Sequence, residues 1–209
     1  HDLRSPMASM KMLLNTIMMS VEKDKIDPDI FDMLEMSNKT SEEVFSLLDN
    51  LLKWTKSQLG KLTVIPQKLD ISGLADGVVE VMNSVAEVKH IKLIRTDHES
   101  FFVYVDIEMI KSILRNLISN AVKFSNPDSE IKVGIKAEDG KVIVSVTDSG
   151  KGIKKEDQHK LLKDSTHFTT YGTNSEEGSG LGLLLCRDFA RKNGGELWFE
   201  SEENLGSVF

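Results

Sequence analysis

From Leu3 to Leu59 apolar side chains recur at steps of three and four, and at Gly60–Pro66 that spacing is broken off. Such a spacing winds an apolar stripe along a helix and does not suit a strand, whose period is two. Leu3, Met7, Met10, Leu14, Ile17 and Val21 form the seam of a first helix, which Asp24–Pro28 interrupts. A second helix carries Ile30, Leu34, Ser37, Ser41, Val44, Leu48 and Leu51 on one face and a further stripe at Phe45, Leu52 and Leu59. Two helices with a short connection fold back as an antiparallel hairpin, but a lone hairpin cannot cover two apolar stripes. A homodimeric four-helix bundle covers them, and Met10, Leu14, Ile17, Val44, Leu48 and Leu51 are expected to hold it. Met7, Met10, Met12, Met18, Met19, Met33 and Met36 are expected as core filler, because thioethers at helical spacing pack well.

Gly60–Pro66 is the expected domain boundary, separating a helical hairpin over 1–60 from a unit over 67–209. In the second part, strands are expected at Lys68–Ile71, Ile91–Arg95 and Phe101–Val105. Helices are expected at Ser72–Val88, with Ser72 as N-cap, and from an Asp106 cap to Phe124. Ile131–Ala137 and Val142–Thr147, joined by Glu138-Asp139-Gly140-Lys141, form a β-hairpin. Gly152–Ser179 is long and polar and reads as a lid with one short helix near Lys155–Leu162. Leu181–Lys192 is a helix stopped by Gly194-Gly195, and Glu196–Glu200 a strand. The fold class is therefore α+β: a helical hairpin followed by an α/β sandwich with a mixed sheet. A chain that opens on His1 within a helical pattern and closes on Gly206-Ser207-Val208-Phe209, an unfinished strand, is expected to be a segment of a longer protein.

Composition narrows the partners. With 33 acidic against 26 basic residues the net charge is -7, the wrong sign for a broad phosphate-binding surface, so nucleic acid is not expected as a partner. A single cysteine, Cys186, excludes an internal disulfide and a Cys-cluster metal site and suits a reducing, cytoplasmic compartment. No run of apolar residues reaches the length of a bilayer span. No membrane contact is expected of this segment.

Four short runs carry chemistry, and each also has a plain structural reading. His1-Asp2-Leu3-Arg4-Ser5-Pro6 can be a helix start with Pro in its first turn. Asn116, Asn120 and Lys123 fall on one helical face, either a solvated polar face or two amides and an ammonium directed at phosphates and Mg²⁺. Asp148-Ser149-Gly150-Lys151-Gly152 follows a strand end, as a tight turn or as a carboxylate for the amino group of adenine beside glycines that admit a flat ring. Gly178-Ser179-Gly180-Leu181-Gly182-Leu183 opens into a helix, where backbone N–H groups can receive an anion. Its spacing is neither the Rossmann nor the Walker A pattern. Arg187-Asp188-Phe189 with Asn193 copies one protein-kinase spacing without its companion motifs and reads as helix surface. His90, His98, His159 and His167 read as solvated or loop histidines.

Taken in this order, the four runs resemble the H, N, G1 and G2 boxes of the sensor histidine kinases of two-component signalling. The resemblance covers essentially the whole chain and implies a dimerisation and phosphoacceptor hairpin followed by a Bergerat-type (GHKL) ATP-binding domain. It implies autophosphorylation of His1 by ATP, with Asp2 as base or orienter. Roughly three quarters of an unperturbed imidazole is neutral and nucleophilic at pH 7. It further implies Mg²⁺ on Asn120, nucleotide contacts from Asn116, Asn120, Lys123, Phe124, Asp148, Gly150, Gly152, Gly178, Gly180, Leu181 and Gly182, and onward transfer to an Asp of a response-regulator receiver domain. Asp148 would take the adenine, Phe124 stack on its ring, and Lys123 with the Gly180–Gly182 amides hold the phosphates. The full-length protein would be a cytoplasmic or membrane-anchored sensor. Leu161–Thr173 departs from the family in lacking its Phe-rich box with Arg, offering Phe168, Thr169 and Thr170 instead, and Ser5 stands where relatives with phosphatase activity carry Thr or Asn. Two alternatives are a GHKL-type ATPase and a nucleotide-binding dimeric scaffold. The ATPase relatives carry a carboxylate where Asn116 stands, and an amide cannot activate water by taking its proton.

Overall fold

The computed structural model describes residues 4–21, 25–97, 99–161, 170–173 and 180–209. Expectations for Leu3, His98, His167, Phe168 and Thr169 lie outside the described residues. The chain divides into two compact units, His1–Leu62 and Thr63–Phe209.

In the first unit α1 (Arg4–Ser20) and α2 (Pro28–Gln58) pack along one another. Asp27 starts α2, its carboxylate accepting from the Asp29 amide at 2.9 Å with Pro28 in the first turn. The face of α1 turned inward is Met7, Lys11, Leu14, Asn15 and Met18, and that of α2 is Phe31, Leu34, Asn38, Ser41, Phe45 and Leu48. Polar residues interrupt this seam: the Asn38 amide donates to Asn15 Oδ1 at 3.0 Å, and Ser41 is buried beside them in sequence. The methionines depart from expectation. Met12, Met33 and Met36 are exposed in the single chain and Met19 is 89% exposed, because the inward face of each helix is taken by other residues.

The second unit starts with β1 (Gln67–Asp70), which pairs antiparallel with β3 (Phe102–Val105) in a small separate sheet. The main sheet has the order β2-β4-β5-β7-β6, built from Lys92–Arg95, Glu130–Glu138, Lys141–Asp148, Gly206–Val208 and Glu200–Glu202. The β2–β4 pair is parallel and the rest antiparallel, so the sheet is mixed. The β4–β5 turn is made by Asp139 and Gly140, both at positive φ as a two-residue hairpin turn demands. Along β4 the buried residues alternate, Ile131, Val133 and Ile135, and meet Val78, Val79 and Met82 of α3 (Ile71–Glu87) and Leu114, Leu117, Ile118 and Val122 of α4 (Ile107–Phe124). Helices α5 (Lys155–Gln158) and α6 (Gly182–Lys192) complete the unit.

Three expectations are corrected. Asp70, not Ser72, caps α3: its carboxylate accepts from the Ser72 amide at 3.1 Å, while the Ser72 hydroxyl donates to the Glu99 carbonyl at 2.5 Å. The strand expected at Glu196–Glu200 lies at Glu200–Glu202, because β7 pairs with those residues. Arg187–Asn193 is more than helix surface. Phe189 is buried, and Asn193 Oδ1 accepts from the Asp106 amide at 2.7 Å while its Nδ2 donates to the Phe189 carbonyl at 2.8 Å. Asp106 in turn caps α4 through the Met109 amide at 3.0 Å and holds the Ile65 amide at 2.9 Å. One carboxylate therefore fixes where α4 begins, which sets the position of every polar group further along that helix.

Candidate nucleotide-binding site

Helix α4 buries Leu114, Leu117, Ile118, Ala121 and Val122, and its 3.6-residue period leaves Asn116, Asn120 and Lys123 half-buried on another face. The Asn116 amide donates to the Ser112 carbonyl at 3.1 Å. Its Oδ1 lies 2.9 Å from where a Cβ on Gly182 would stand, so the start of α6 rests against Asn116. Leu181, buried, precedes α6, and Gly180 before it has a φ of +67°. The first N–H groups of a helix have no partner within it, and the helix dipole is positive at this end, which suits the start of α6 to an anion. Cys186 of the same helix is buried, and burial pushes its thiol up to about 12, as an inert thiol requires.

Asp148 ends β5 and is 7% exposed. Burial raises its carboxyl above the ordinary carboxylate range, and hydrogen bonds from the Gly150 amide, at 2.9 Å, and from the Ser207 backbone oppose that rise. The turn that follows is wedged between two elements. A Cβ on Gly150 would stand 2.2 Å from the Phe124 carbonyl oxygen, and one on Gly152, at φ +60°, 1.9 Å from that of Glu202. Only glycine fits at either place. Between them the Lys151 amide donates to the Phe124 carbonyl at 3.1 Å, and the Lys151 carbonyl accepts from Asn204 at 2.8 Å. The end of α4, the turn after β5 and the β6–β7 hairpin thus meet around Asp148.

The Phe124 ring has two cations over it, Lys123 Nζ at 4.9 Å and Lys151 Nζ at 4.7 Å from its centroid. Lys151 also donates to the Tyr171 carbonyl and lies 3.5 Å from Thr170 Oγ1. Of the residues singled out from sequence, Phe124, Asp148, Gly150 and Gly152 stand together, and Asn116 stands with Gly182. Asn120 shares the α4 ridge, while His1, Asp2 and Gly178 lie outside the described residues. Sequence reasoning overlooked Lys89, buried in the turn after α3, whose ammonium donates to the Val122 and Lys123 carbonyls, each at 3.0 Å. No local pattern marks it, because a lysine following a helix ordinarily reads as solvated.

Residues 105–209, from the end of β3 through β7, match the family of histidine kinase-, DNA gyrase B-, and HSP90-like ATPases. The whole chain aligns with the adaptive-response sensory kinase SasA of Crocosphaera subtropica at 31% identity over 214 residues, covering 56% of that protein. The chain spans just over half the length of the SasA proteins it matches. Among solved structures it is similar in fold to full-length ShkA in complex with AMPPNP, with a TM-score of 0.76, 22% identity and coverage of 100% of this chain and 43% of that one. The catalytic domain of histidine kinase ThkA superposes with a TM-score of 0.59 at 31% identity, covering 69% of this chain and 92% of that one, and ThkA has also been solved in complex with the response regulator protein TrrA. With the family match over half its length and a mixed sheet that gathers the polar ridge of α4, the buried Asp148 and the start of α6 in one unit, the chain belongs to the histidine kinase-, DNA gyrase B-, and HSP90-like ATPases, alongside the sensor histidine kinases.

Proposed function

We propose that this chain is the phosphoacceptor, dimerisation and ATP-binding core of a sensor histidine kinase, with the first unit as the phosphotransfer hairpin and the second as the catalytic domain. The observation that carries this reading is Asp148, a carboxylate kept almost dry at a strand end, beside a glycine turn that leaves no room for side chains. A desolvated acceptor discriminates strongly for a ligand with a matching donor, here the exocyclic amino group of adenine. Phe124 and Gly150 border the adenine, and Lys123 with the amides at Gly180–Gly182 receives the phosphates.

Asn120, half-buried on the α4 ridge, would contribute an amide oxygen to Mg²⁺. Among the described residues no group of three His, Cys, Asp or Glu side chains could hold a metal, which fits an ion held largely by the substrate's own phosphate oxygens. Bound there, Mg²⁺ neutralises phosphate charge. A neutral ring nitrogen of His1 attacks the γ-phosphorus, the N–P bond forming as the bond to the β,γ-bridging oxygen breaks, and ADP leaves. Asp2 receives or orients the proton on the ring. The phosphoryl group then passes to an Asp of a receiver domain, a step supported by the ThkA–TrrA complex. Asn116 offers no carboxylate to activate water, which favours transfer over hydrolysis.

The hairpin acts as half of a homodimeric four-helix bundle. Met10, Ile17, Val44 and Leu51 are exposed in the single chain, as are Leu13 and Leu47 beside them, whereas Leu14 and Leu48 serve the hairpin's own seam. A second copy laid on the exposed set would bury it. No helix is long and apolar enough to cross a membrane among the described residues.

Incubation with Mg·ATP labelled in the γ-phosphoryl group should place base-stable, acid-labile phosphate on the parent and none on His1→Gln, while ATP affinity stays near that of the parent. Phosphate persisting on His1→Gln would overturn the assignment of the acceptor.

A further inference from the structure

Lys89 lies 33 residues before Val122 and 84 before Thr173, yet its ammonium meets both. It is 7% exposed, and its ammonium donates to the Val122 and Lys123 carbonyls at 3.0 Å and to Thr173 Oγ1 at 2.8 Å. Thr173 belongs to the stretch between β5 and α6. Its hydroxyl contacts the Ser125 carbonyl at 2.7 Å and the Lys123 carbonyl at 3.2 Å, and its backbone amide donates to Lys123 at 3.1 Å. Ser125, which ends α4, is fully buried within this cluster. A lysine loses favourable hydration and side-chain entropy on burial, so its place here needs compensation, and the open carbonyls at a helix C-terminus supply it.

We propose that Lys89 and Thr173 are a positioning pair for nucleotide binding: Lys89 clamps the last turn of α4, which carries Lys123 and Phe124, to the 170–173 stretch. The inference rests on the assignment of Lys123 and Phe124 to the nucleotide site. Lys89 touches no reacting group. Its effect is to hold the backbone that presents the Lys123 ammonium and the Phe124 ring, and to tie that backbone to a segment joined to the site independently by Lys151.

Titration of the whole chain with a fluorescent, non-hydrolysable ATP analogue and Mg²⁺ tests this in Lys89→Met, Thr173→Val, the double variant and Thr173→Ser. Each of the first two should weaken affinity about tenfold, the scale of coupling within one hydrogen-bond network, and the double variant should be no weaker than Lys89→Met. Thr173→Ser, which keeps the hydroxyl, should restore affinity. If the pair served stability alone, melting temperature would fall while affinity well below the melt stayed at the parent value, and that result would overturn the proposal. Additive losses would overturn it too. Because Thr173→Val leaves the buried lysine in place, it reports even where Lys89→Met fails to fold. A parent chain that binds no nucleotide would defeat the site assignment itself, whereas a binding parent with unaffected variants defeats only the pair.

Discussion

Among the described residues, the hairpin from Arg4 to Gln58 buries only Ser41 and Ser57, whereas every buried hydrophobic side chain lies between Ile71 and Ala190 of the second unit. The contrast follows from geometry. Two helices share one line of contact and leave their flanks in water, while a sheet with helices on it encloses a volume. The hairpin's polar seam, Asn15 against Asn38 with Ser41 nearby, widens the difference, since it replaces apolar contact where the pair could least spare it. The second unit encloses a core of its own, whereas the hairpin leaves Met10, Ile17, Val44 and Leu51 exposed in the single chain.

The largest expected effect sits in the enclosed core. Ile118→Asp would remove a side chain with 0% exposure and leave an unpaired carboxylate in its place, at a cost of at least about 4 kcal/mol, comparable with the whole stability of a small domain. Loss of the cooperative thermal transition of the second unit checks it. A normal melt would mean that this core tolerates charge.

Ile17→Asp asks the same of the hairpin. Ile17 is exposed in the single chain, so helicity measured by circular dichroism under dilute conditions should hardly change. Within a four-helix bundle the carboxylate would be buried, and dimerisation should weaken by about 3 kcal/mol, or more than a hundredfold, in analytical ultracentrifugation. An unchanged sedimentation profile would place the dimer contact elsewhere.

Asp148→Asn separates binding from stability within the second unit. Loss of the acceptor should reduce ATP affinity by about 2 kcal/mol, the scale of a buried polar partner. Stability should move the other way. Because burial raises the Asp148 carboxyl, the folded state holds its proton more tightly than the unfolded state does. The resulting stability is fully present below the unfolded carboxylate's ordinary range and is lost as pH rises through the raised folded value. The advantage of Asn over Asp in urea melts should therefore grow across that window and level off toward neutral pH. ATP binding by the parent should weaken as pH falls through the same window, as the acceptor becomes protonated.

What the sequence made legible was local. Asp106 was readable as the cap of α4, Asp139-Gly140 as a tight turn and the three-and-four spacing as helices, because each depends on neighbours within a turn or two. The first strand and α3 were also legible, but the choice between Asp70 and Ser72 as cap was not. Both residue types can cap, and the Ser72 hydroxyl is taken instead by Glu99, 27 residues away. Met12, Met19, Met33 and Met36 depart from expectation for a related reason: helical spacing states which residues share a face, not which face meets the neighbouring helix.

By itself, then, the sequence determined the periods of the helices, the turns, the four polar and glycine-rich runs, and the mixed α+β class, all carried by interactions between residues close along the chain. Tertiary structure alone decided that Asn193 completes the Asp106 cap, that Gly150 and Gly152 are pressed against Phe124 and Glu202, that Asp148 is desolvated, and that Lys89 closes the end of α4. Each of those contacts joins segments far apart in sequence, and burial, which sets their strength, is a property of the packed volume.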